Sequence, residues 1–205
     1  MQQMLHRTLV ALPALLTTAV ALASIAAGQP AAEWRTGQTG RGTARWTRTD
    51  GGFRYQGGAA FGWAVLEGSP VRNGWVEVRF KPIDGREDRA GGVVWRWRDP
   101  DNYYIARANA LEDNVVAYKM VGGRRSDLRP VGAPRGTYGV KVPIAADTWH
   151  TLRVDFTGAD FSVTCDGRML FTVRDETFAD GGAVGLWSKA DSTTLFERFR
   201  YQVNP

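Results

Sequence analysis

GGVVWRWRDPDNYYIARANALEDNVVAYKM, residues 91–120, decides the fold. Two runs rich in β-branched and aromatic residues flank the turn Asp99-Pro100-Asp101-Asn102, and a third follows Glu112-Asp113-Asn114. Turn residues stand where the chain must reverse, and strand formers stand between them. The pattern predicts three consecutive antiparallel strands in the middle of a large sheet. Successive side chains of a strand point to opposite faces. Alternation therefore groups Val93, Trp95 and Trp97 against Val94, Arg96 and Arg98. In the second strand it groups Tyr103, Ile105, Arg107 and Asn109 against Tyr104, Ala106 and Ala108. In the third, Val115, Ala117 and Lys119 oppose Val116, Tyr118 and Met120. One side of the sheet reads as apolar; the other mixes Arg, Asn, Lys and aromatics and is the place to look for function.

Outward from this stretch the same grammar repeats. Gly74–Lys81 (GWVEVRFK) alternates cleanly, with Val76, Val78 and Phe80 opposite Trp75, Glu77 and Arg79. Leu152, Val154 and Phe156 share one face of a later strand, and Asp166-Gly167 is a strong hairpin turn. Other strands are expected from Thr43 onward, at Gly62–Glu67, Ala183–Lys189 and Leu195–Val203, with edge strands at Arg124–Arg129 and Thr137–Val142 limited by prolines. About a dozen short strands and no amphipathic helix imply two sheets packed face to face.

Toward the N-terminus, residues 1–28 read as a cleavable export signal. Arg7 supplies its positive region, Leu9–Ala26 its apolar stretch, and Ala26-Ala27-Gly28 its small-residue end. The competing reading is a retained membrane anchor, since the apolar run approaches the ~18–20 residues a span needs. Residues 29–42 read as a linker or irregular arm, and 43–205 as the β domain. The expected location is periplasmic or extracellular, with no membrane contact once the leader is removed.

With 205 residues, 43% hydrophobic and 23% charged, the chain suits one soluble sandwich domain. The net charge of +5 is scattered, without a run of five basic residues, so no nucleic-acid partner is expected. Cys165 is the one cysteine and falls at period two after Phe161 and Val163, as a buried strand thiol would. His150 is expected to be structural.

Asp147-Thr148-Trp149-His150-Thr151-Leu152-Arg153-Val154, the hairpin ending Asp166-Gly167, and Gly185-Leu186-Trp187 together resemble the back half of concanavalin A-like jelly rolls. Gly91–Arg96, Asp101–Tyr104, Arg107 and Phe196–Arg200 look most like the laminin G-like and 3-keto-disaccharide hydrolase branch, related in fold to family 16 glycosidases. The likeness covers roughly Thr43–Val203 and implies an all-β, two-sheet antiparallel jelly-roll β-sandwich. The Trp-x-x-Leu-Phe-Asn-Gly element of the hydrolase branch and the Glu-x-Asp-x-x-Glu strand of family 16 are both missing.

Arg96, Arg107, Asn109 and Lys119, with Trp187 and Lys189 on a neighbouring strand, are the residues expected to hold a carbohydrate. Guanidinium forks and amides reach hydroxyls, and rings cover the C–H faces of sugars. The alternatives are a hydrolase of the keto-glycoside kind, its catalytic residues unassigned, and a structural or adhesive domain. No cofactor is expected. Asp99, Asp101 and Asn102 could hold a structural calcium, against the commoner reading of an Asx turn.

Overall fold

A computed structural model describes residues 33–204. The export signal expected at residues 1–28 lies outside them. Fifteen strands follow in order: β1 Glu33–Gly42, β2 Arg45–Thr49, β3 Gly52–Gln56, β4 Ala59–Val71, β5 Gly74–Asp84, β6 Ala90–Asp99, β7 Asn102–Asn109, β8 Asn114–Val121, β9 Arg124–Leu128, β10 Val140–Lys141, β11 His150–Thr157, β12 Asp160–Cys165, β13 Arg168–Arg174, β14 Gly182–Ala190 and β15 Thr193–Val203. An eight-stranded sheet runs β1-β4-β14-β6-β7-β8-β10, with β9 also on β8. A seven-stranded sheet runs β13-β12-β11-β5-β15-β3-β2. Every pairing is antiparallel. The jelly-roll sandwich is therefore as expected, and β6, β7 and β8 are adjacent. Among the described residues, no helix is long and apolar enough to cross a membrane.

Between the sheets lies the main core. Trp95, Tyr104, Phe156 and Phe161 meet at its centre, with Trp95 and Tyr104 stacked at 5.3 Å. Cys165 is buried there, and burial, reinforced by Asp166, pushes its thiol up to about 12. His150 bonds Asp166 at 2.7 Å and the Ala145 carbonyl at 2.9 Å, which fixes the entry to β11.

Two sequence expectations are corrected. Part of the segment read as a linker, Glu33–Gly42, is an edge strand paired along β4. The second concerns faces. Arg96 has φ 47° at a break in the β6–β7 register. The extra residue reverses alternation beyond it. Trp97 joins Val94 on the outer face, while Arg96 turns inward to donate to the carbonyls of Arg72, Gly158 and Phe178.

Candidate functional site

The outer face of the eight-stranded sheet carries a second cluster: Trp63, Val65, Val94, Trp97, Tyr103, Ile105, Tyr118 and Trp187, all buried. One rung of it runs Gly37, Trp63, Trp187, Gly92, Arg107, Val116 across β1, β4, β14, β6, β7 and β8. Gly37 is required here, because a Cβ would stand 2.4 Å from the Trp63 ring. Arg35 lies over Trp63 and Trp97 at 5.8 Å. The next positions along β14 and β7 are Lys189 and Asn109, where the aromatic face ends in a polar network.

Arg107 is fully buried in that network. Its guanidinium donates to Asn114 Oδ1 at 2.8 Å, Glu112 Oε2 at 2.9 Å and the Tyr138 hydroxyl at 3.3 Å. Asn109 donates to Asp88 Oδ1 at 2.7 Å and Glu112 Oε1 at 3.0 Å. Asp88 in turn pairs with Lys189 at 2.5 Å. Burial disfavours the charged form of Arg107, but Tyr118 and Glu112 outweigh it and hold the guanidinium above its ordinary value. Burial likewise works against the Glu112 carboxylate; Arg107, Asn114 and Lys189 prevail and hold it below its usual range. Asp88 is placed by its loop, whose amides at Arg86, Glu87 and Asp88 all donate to the Asp191 carboxylate.

Beside Lys189 opens a hollow of about 450 Å³, lined by Phe61, Glu87, Arg125, Lys189 and Asp191. That is within the range of small-ligand pockets, about 300–1,000 Å³. Phe61 is its aromatic wall, stacked on Trp187 at 5.8 Å. Arg125 arches over Phe61 and Tyr118 at 4.9 and 4.4 Å. Its Nη1 is buried and has no hydrogen-bond acceptor among the described residues.

Of the six residues expected to bind, Arg107, Asn109, Trp187 and Lys189 share this outer face, and Lys189 lines the hollow. Arg96 and Lys119 do not join them. Arg96 faces inward after the bulge. Lys119 sits on the Tyr104 side, bonded to Asp175 at 2.7 Å and Thr177 at 2.9 Å. Asp88, Glu112 and Arg125 were not singled out in the sequence. Glu112 reads there only as turn punctuation. The Asp99 carboxylate accepts from the Asp101 amide at 2.8 Å and from the Asn102 side chain at 2.9 and 3.0 Å, the geometry of an Asx turn. Among the described residues, no group of three or more His, Cys, Asp or Glu side chains is assembled for a metal.

No protein-family model matches the chain, and no curated protein matches its sequence. Solved structures do match. The carbohydrate-binding module CBM66 from Bacillus subtilis superposes with a TM-score of 0.70 at 21% identity, covering 84% of this chain and 97% of that one. A β-glucanase from Bacillus licheniformis gives 0.57 at 14% identity, over 84% and 92%. A Bacillus subtilis protein with a galectin-like fold gives 0.56 at 10%, over 83% and 89%. At such identities the likeness is one of fold alone, that of the two-sheet jelly roll.

Proposed function

We propose that this chain is an exported glycan-binding module that seats a saccharide in the hollow between Phe61, Arg125 and Lys189. The observation that carries the reading is a hollow that sets an aromatic ring beside two cations. Phe61, backed by Trp187, lines it together with Arg125 and Lys189. Sugar hydroxyls are acceptors of the required kind, and a sugar's C–H face suits a ring. A carbohydrate-binding module and a β-glucanase stand among the structures of like fold, which supports the same class of ligand. Arg107 and Asn109 act in this reading as the buried frame that fixes Asp88, and through it Lys189.

Titration calorimetry against a panel of neutral oligosaccharides tests it. Binding should fall at least about tenfold in Arg125→Ala and in Phe61→Ala, with melting temperatures near that of the parent. Silence across the panel, or affinity indifferent to both changes, would overturn the reading.

One observation favours a hydrolase as the second reading. Asp88 and Glu112 accept from the same amide nitrogen of Asn109, so their carboxyl groups stand close together, as a glycosidase pair does. Against it, Glu112 is held ionised and Asp88 is paired with Lys189, which leaves no evident proton donor for a leaving group. Turnover of 3-keto or ordinary disaccharides that vanishes in Glu112→Gln would favour the enzyme over the module.

A further inference from the structure

The outer face of the seven-stranded sheet holds a second, unlike hollow of about 650 Å³. Its lining brings Arg79, Arg153, Arg198 and Arg200 together with Glu77, while Glu197 and Asp155 pair with Arg79 and Arg153 beside it, which leaves the cluster cationic by one charge. The strand register explains this. Thr164, Arg153, Glu77 and Arg200 form one rung across β12, β11, β5 and β15, and Thr151, Arg79 and Glu197 form the next. Between Glu197 and Arg200 the β15 register against β5 slips, and Arg198 takes φ 52°. Phe196, Phe199 and Tyr201 keep their place in the core, so the extra residue adds a cation to the outer face. A non-glycine residue in the left-handed region is strained and persists where the surroundings hold it there.

The donors here are only partly spent. Arg153 gives Nε and Nη2 to Asp155 at 2.8 and 2.5 Å, while Arg79 and Arg200 each give one nitrogen to a glutamate, Glu197 and Glu77 respectively. Arg198 approaches Glu197 at 3.7 Å, beyond hydrogen-bond reach, and is 71% exposed. A guanidinium carries five N–H groups in a fixed fork matched to planar or tetrahedral oxyanions. Arg153 covers one face of Trp75 at 4.2 Å and Arg79 one face of Trp149 at 5.0 Å. Single-stranded nucleic acid depends on open aromatic faces, and none of the residues that line this hollow is aromatic.

We propose that this arginine-lined hollow on β5, β11 and β15 is a second binding site, for the carboxylate or sulfate groups of an acidic polysaccharide. It lies on the sheet opposite the Arg125–Lys189 hollow and works independently of it.

The test uses the mature chain with polygalacturonate, dextran sulfate, neutral dextran and a DNA duplex, by affinity electrophoresis at low and moderate salt. At least one acidic polysaccharide should retard the protein, and neutral dextran should not. The preferred polymer identifies the oxyanion as carboxylate or sulfate. Arg198→Gln with Arg200→Gln should weaken that binding at least about tenfold, while Arg125→Ala leaves it unchanged. Both arginines are mostly exposed, at 71% and 67%, so the double variant should melt like the parent. No retardation by either acidic polymer, equal retardation by the DNA duplex, or binding indifferent to the double change would each overturn the proposal.

Discussion

Both sheets bury one face against the other, yet their outer faces are built on different terms. On the eight-stranded sheet, β6 and β7 are buried almost residue for residue, because Trp63, Trp97, Tyr103 and Trp187 make a second core outside the first. On the seven-stranded sheet, β5 and β11 alternate buried and half-buried, and the outward positions are Glu77, Arg79, Arg153 and Asp155. A strand covered on both sides needs apolar or fully satisfied side chains throughout; a strand covered on one side needs them at every second place. Arg107 can stand in the first kind of face because Asn114, Glu112 and Tyr138 take donors from its two terminal nitrogens, while its Nε has no acceptor among the described residues. The arginines of the other face have water as well as glutamate to answer them.

Substitutions matched across the two faces should expose that contrast. The largest effect belongs to Trp63→Ala, which empties a nearly sealed ring site and should cost about 4 kcal/mol in urea denaturation. Trp75→Ala, its half-buried counterpart, should cost about 1 kcal/mol. If the two proved equal, the outer aromatic cluster would not be a core.

Next comes Glu112→Gln. Its folded carboxyl titrates below the unfolded one, so its stabilisation is present above the unfolded value and is lost as pH falls through the folded one. The variant should be less stable near neutrality by about 1.5 kcal/mol, a figure reduced because the side chain is 37% exposed. The difference should close as pH drops below ~4. A gap that persisted undiminished in acid would show that Glu112 acts by packing rather than charge. The smallest effect is expected for Glu77→Gln on the charged face, under about 1 kcal/mol and shrinking with added salt.

The same contrast explains what the sequence disclosed. GWVEVRFK announces its faces because only one is buried. VVWRWR does not, since a Trp is at home on either side of a doubly covered sheet, and the bulge at Arg96 depends on a partner strand invisible in one dimension. The bulge at Arg198 left a trace: Phe196, Phe199 and Tyr201 are spaced three and then two apart. Strand β1 left almost none, since its fit rests on the missing side chain of Gly37 under a ring 26 residues away. Asp88, Glu112 and Arg125 come from two loops and an edge strand, and only the folded sheet brings them to Asn109 and Lys189.

Arg96 carries one more consequence, and it concerns time. Its guanidinium rivets Arg72, Gly158 and Phe178, which lie 24, 62 and 82 residues away along the chain. Closing such loops costs entropy, and a bond that joins turns of both sheets is made late if it waits for them to dock. A fastening made that late barely affects how fast the chain folds; it governs how long the native state lasts before it opens.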